Sequence, residues 1–129
     1  MCIRDRFYGV SGSGAVLHPI NPRLFADQLV YIINHAEDAW LFIDAATLSL
    51  AEQLAPRLES VKGFVLMAER SAMPGRTTLA PLLCYEELLA AESDEYVWPQ
   101  FDERSASSIC YTSGTTGDPK GVVLSLIHI

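Results

Sequence analysis

From Thr112 to Gly121 the chain reads Thr-Ser-Gly-Thr-Thr-Gly-Asp-Pro-Lys-Gly. Glycines at 114, 117 and 121 permit positive φ and leave room for a ligand to come against the backbone. The amides that such a loop exposes can form an anion-binding nest. The hydroxyls of Thr112, Ser113, Thr115 and Thr116 can donate to phosphate oxygens, and Lys120 adds a mobile positive charge. Pro119 stiffens the return and reduces the entropy lost when the loop orders. Donors and positive charge gathered around open backbone suit a polyphosphate cradle.

A hairpin turn without a ligand favours the same residue types, so their order has to separate the two. Spacing excludes two other phosphate loops. A Walker A loop requires G-x-x-x-x-G-K-[ST] before a helix. Here Pro119 stands five residues after Gly114, Lys120 precedes Gly121, and Val122-Val123-Leu124 continues as a strand pattern. Gly12-Ser13-Gly14 fails as a dinucleotide fingerprint, because Leu17 occupies the place of the third glycine.

Two strand-like arms must position the segment, Ser107 to Tyr111 before it and Gly121 to Ser125 after it. Further upstream, Gly12 to Leu17 is a small, apolar run expected to be a buried strand, ended by a turn carrying Pro19 and Pro22. Phe25, Leu29, Ile32, Ile33 and Ala36 then fall on one helical face, with Asn21 or a neighbour available as the cap. Ala39 to Asp44 is expected to be a strand buried on both faces. Leu50, Leu54 and Leu58, backed by Ala51 and Ala55, make a second amphipathic helix whose last turn Pro56 disturbs. Gly63 to Met67 is a third strand. This alternation implies an α/β fold, βαβαβ with a parallel sheet, followed by a strand–loop–strand. Residues 69–84 read as a surface loop, Tyr85 to Ala91 as a short helix with Glu86 and Glu87 where the dipole favours them, and 93–104 as acidic and irregular.

A chain of 129 residues with 50% apolar content is enough for one compact domain. A net charge of -7 without a Lys/Arg stripe argues against a nucleic-acid partner. It also means that an anionic nucleotide would have to be bound by local donors and metal, not by the overall field. No apolar run reaches membrane-spanning length, and glycines at 9, 12 and 14 with Asp5 spoil a signal peptide. Cys2, Cys84 and Cys110 form neither a C-x-x-C nor an even set, as expected of ordinary thiols in a reducing, cytoplasmic setting.

The full string Tyr111-Thr112-Ser113-Gly114-Thr115-Thr116-Gly117-Asp118-Pro119-Lys120-Gly121 resembles, position for position, the signature loop of the adenylate-forming (AMP-binding) superfamily. That superfamily includes acyl- and aryl-CoA synthetases, luciferases and peptide-synthetase adenylation domains. Three further segments are similar to medium- and long-chain fatty acyl-CoA ligases: Ala15 to Leu24, Gln28-Leu29 through Asp38, and Leu41 to Asp44.

The resemblance implies part of the large N-terminal domain of such an enzyme, spanning 7–125. It implies a reaction in which a fatty acid and ATP give an acyl-adenylate and pyrophosphate, followed by thioester formation with coenzyme A. Thr112 to Gly117 match the positions that wrap the β- and γ-phosphates, and Lys120 matches the lysine that supports them. Mg²⁺ is expected on the ATP phosphates, with no protein metal site. Because the later motifs of that family lie beyond residue 129, the isolated chain is expected to be inactive. An adenylation domain feeding a carrier protein and a non-catalytic fragment are the alternatives. Residues 1–6 and 126–129 do not resemble the family and are expected to be non-native. Outside the loop, His18 and His35 are expected at turns or helix ends and Glu37-Asp38 at a helix end. Asp44 is expected as a helix cap and Cys110 in buried packing.

Overall fold

The computed structural model describes residues 3–112 and 118–127. The chain divides into two compact units, Pro22–Asp94 and a second made of Met1–Asn21 with Glu95–Ile129. In chain order the elements are α1 (Ile3–Gly12), α2 (Ala26–His35), β1 (Trp40–Ile43), α3 (Leu48–Leu54), β2 (Gly63–Leu66), β3 (Leu82–Cys84), α4 (Tyr85–Ala91), β4 (Ala106–Thr112) and β5 (Lys120–Ser125). Among the described residues no helix is long and apolar enough to cross a membrane.

The Pro22–Asp94 unit is built on a parallel sheet ordered β1-β2-β3. Strand β2 is buried along its length, as a central strand covered on both faces must be. Ile43, Ala51, Phe64, Leu66 and Leu79 form the core, with Leu66 fully buried. Helix α2 turns Leu29, Ile32 and Ile33 inward at the three- and four-residue spacing of one helical face. Helix α3 ends at Leu54, and Pro56 sits in the tighter turn that follows, so the expected disturbance is present.

Four expectations need correction, three of them within this unit. Phe25 lies just before α2 and is 82% exposed, off the core face; its amide, not Asn21, joins the cap by donating to Gln28 Oε1 at 3.3 Å. Strand β1 is an edge strand, so Leu41 and Ile43 turn inward while Trp40 and Phe42 remain exposed. Residues 82–84, expected in a loop, supply the third parallel strand, paired from Phe64↔Leu82 to Leu66↔Cys84. Gly12 to Leu17 is not a strand of this sheet: its glycines leave only Leu17 to pair, and Leu17 bridges Ser108 in the other unit's hairpin.

Local hydrogen bonds explain where the elements stop. Glu37 takes a left-handed φ of 54°, its amide donates to Asn34 O and the Asp38 amide donates to Ile33 O, which closes α2. The Asn34 side chain donates to Arg57 O and accepts from the Glu59 amide, both at 2.9 Å, tying that end to the chain after α3. Asp44, expected as a helix cap, stands three residues before the N-cap of α3, which is Thr47; its carboxylate instead closes the turn into the helix, accepting from the Thr47 amide at 2.9 Å and from the Thr47 hydroxyl at 2.8 Å. Gly63 leaves room that Trp40 fills, since a Cβ there would lie 2.5 Å from Trp40 Cζ3.

Candidate functional site

In the unit formed by the chain's two ends, β4 and β5 are antiparallel and paired from Ala106↔Ser125 to Thr112↔Lys120. Alternating Ile109, Tyr111 and Val122–Leu124 supply strand-forming side chains, and a register irregularity falls between Ala106 and Ser108. Ser107, at that irregularity, is buried and fully used: its hydroxyl donates to Leu124 O at 3.1 Å, and its carbonyl accepts from the Ser11 hydroxyl at 3.1 Å and the Leu17 amide at 2.9 Å. Helix α1 is thereby fastened to the base of the hairpin. The sequence did not announce α1, because Gly9 and Gly12 weaken helix propensity. Gly12 is nevertheless needed, since a Cβ there would meet the Trp98 ring at 2.7 Å.

The hairpin delivers the candidate loop. Thr112 and Lys120 are the last paired residues of the two arms, and both are exposed. Directly opposed residues project to one face of a sheet, so the hydroxyl and the ammonium share a face at the mouth of the loop. Beyond the strand pairing, the Thr112 hydroxyl makes a long contact, with Oγ1 3.5 Å from Lys120 O. Ser113, Gly114, Thr115, Thr116 and Gly117 lie outside the described residues.

Next to this pair, on the other face, Tyr111 stands opposite Gly121. Its ring occupies the space a side chain at 121 would need, because a Cβ there would lie 3.0 Å from Tyr111 Cζ and 3.1 Å from Ile109 Cδ1. The His18 ring packs against Tyr111 with centroids 5.1 Å apart. Gly121 therefore has a packing reason beyond the loop flexibility assigned to it from sequence. His18, expected at a turn, belongs to the support of the loop's base. Only the residue opposite Tyr111 signalled this, since an aromatic facing glycine across a hairpin is a known pairing device.

The remaining candidates stay apart from the loop mouth. His35 is the last residue of α2 and stacks on Tyr31 at 5.3 Å. Cys84 is buried and its thiol donates to Ala68 O at 3.2 Å, whereas Cys110 is exposed, contrary to expectation, because it falls on the outward step of β4. Among the described residues no three His, Cys, Asp or Glu side chains gather as a metal-ligand set.

The family described as AMP-binding enzyme matches residues 6–127. Over 119 residues the chain is 54% identical to the 3-methylmercaptopropionyl-CoA ligase of Ruegeria pomeroyi, covering 92% of this chain and 22% of that protein. Over 124 residues it is 48% identical to the medium-chain-fatty-acid–CoA ligase of Ectopseudomonas oleovorans, again covering 92% and 22%. The chain thus spans about 22% of the length of the curated relatives it matches. Among solved structures, the anthranilate CoA ligase AuaEII in complex with anthranoyl-AMP superposes with a TM-score of 0.80 at 24% identity, over 93% of this chain and 22% of that one. That last likeness establishes the fold, a mixed α/β architecture with a parallel three-stranded sheet.

Proposed function

The chain belongs to the AMP-binding enzyme family, and on that premise we propose that it is part of an ATP-dependent acid–CoA ligase, one acting on fatty acids. Residues 7–125 are in this proposal a portion of the large N-terminal domain, and its setting is the cytoplasm. A carboxylate oxygen of the acid attacks the α-phosphorus of ATP. The bond to the bridging oxygen breaks, and pyrophosphate leaves with the electron pair. The thiol of coenzyme A then attacks the acyl carbon, gives up its proton, and AMP departs.

The chain's own part in this is electrostatic. Charge grows on the departing pyrophosphate, so donors already aimed at it lower the barrier, each by on the order of 3 kcal/mol in a water-excluded site. Thr112, Ser113, Gly114, Thr115, Thr116 and Gly117 are proposed to wrap the β- and γ-phosphates, with Lys120 supplying the balancing charge. Mg²⁺ arrives as part of the nucleotide substrate, carried by its phosphates.

The observation that carries the proposal is the hairpin register, which sets Thr112 opposite Lys120 at the two ends of a glycine- and hydroxyl-rich segment. The ligases that share this stretch support the acid–CoA assignment, and the medium-chain relative supports a fatty acid as the carboxylate. Calorimetric titration of the chain with Mg-ATP tests the cradle. Binding is expected, and Lys120→Ala is expected to weaken it about tenfold. A chain that does not bind Mg-ATP, or a K120A variant that binds it equally well, would refute the cradle.

A further inference from the structure

We propose that His18 is a positioning residue for the phosphate loop, acting through Tyr111; this rests on the cradle assigned to that loop above. The route is short and each step is visible. Leu17 is locked to β4 by two backbone hydrogen bonds, its amide donating to Ser107 O and its carbonyl accepting from the Ile109 amide, each at 2.9 Å. That fixes where His18 leaves the strand edge. Its imidazole then lies against the Tyr111 ring at 5.1 Å with the planes tilted by 39°. The Tyr111 ring in turn covers Gly121, where a Cβ would come within 3.0 Å of Cζ and 3.2 Å of Oη.

Tyr111 and Gly121 are the neighbours in sequence of Thr112 and Lys120, and they face each other across the hairpin as that pair does. A ring held on one face therefore sets the backbone from which the hydroxyl and the ammonium project on the other. The strand pairing fixes the register of the loop's mouth, and the ring adds packing where the side-chain link from Thr112 to Lys120 is long. Support of this kind decides whether donors meet a ligand in register, since small displacements of a preorganised site lose much of its binding. Gly121 suits the same arrangement, because a Cβ there would press the ring aside by a few tenths of an ångström.

The test compares the 129-residue chain with its H18A, H18F and G121A variants. Each is titrated with inorganic pyrophosphate and Mg²⁺, while the Gly121 Hα resonance is followed by NMR as a reporter of the ring above it. In the parent that resonance is expected upfield of its unstructured value. In H18A it moves back, pyrophosphate affinity falls about tenfold, and the thermal midpoint stays near the parent's. H18F, which restores a ring, recovers both the resonance and the affinity. An H18A variant that binds as tightly as the parent, or whose Gly121 signal does not move, overturns the proposal and leaves the cradle standing. A parent that binds no pyrophosphate overturns both. Should H18A lose its fold, G121A decides, because it keeps both rings and adds one methyl against the Tyr111 ring, on which the positioning depends: weakened binding upholds the proposal, and parent-like binding overturns it.

Discussion

Thr112 offers a hydroxyl at the mouth of the loop from an exposed position, with little packing to lose. Thr112→Val is therefore expected to leave the thermal midpoint unchanged while reducing pyrophosphate affinity roughly fivefold, the worth of about one hydrogen bond. Thr112→Ser should bind like the parent, and calorimetry on the three proteins checks the set. The candidate contacts were legible at this scale because hydroxyls, glycines and a lysine state their chemistry directly. What packs behind them was not. His18 stands 93 residues before Tyr111 in the chain, and no local pattern connects two residues that meet only through a strand pairing. Cys110 was misplaced for a related reason: an apolar run does not say which of its alternate residues faces out.

Element boundaries follow from backbone chemistry that admits direct tests. Glu37 closes α2 in a left-handed conformation that a glycine adopts without strain. Glu37→Gly is accordingly expected to raise the unfolding free energy by about 1 kcal/mol in urea titration. Asn34→Ala should lower it by about 1–2 kcal/mol, since it strands a carbonyl and an amide that the side chain now satisfies. Leu66, the fully buried centre of β2, should cost about 2–5 kcal/mol on truncation to alanine. Helices α2, α3 and α4 were readable from periodicity, charge placement and Pro56. Strand β3 was hidden by its brevity, three residues beside a proline-rich loop, and α1 by its glycines. Both owe their structure to partners elsewhere in the chain, which outweigh weak local preference.

The chain as a whole spans about 22% of the length of its curated relatives, and the ligase reaction proposed above calls for acid, nucleotide and thiol sites. Purified alone, it is expected to give no acid-dependent exchange of labelled pyrophosphate into ATP even where it binds the nucleotide. Exchange above background would show that this portion already holds a complete centre. The α/β class with a parallel sheet followed by a hairpin was readable from the alternation of apolar runs. The division into two units was not, because one of them joins residues from both ends of the chain, which no local sequence pattern connects.

Gly12 under Trp98 and Gly63 under Trp40 have a practical consequence. The chain has two tryptophans, and each unit holds one of them beside a glycine that shapes its seat. Intrinsic fluorescence therefore carries one optical witness per unit. In W98F the remaining emission reports the parallel sheet, and in W40F it reports the hairpin with its helix. Denaturation curves of the two variants would show directly whether the hairpin unit melts together with the sheet or on its own.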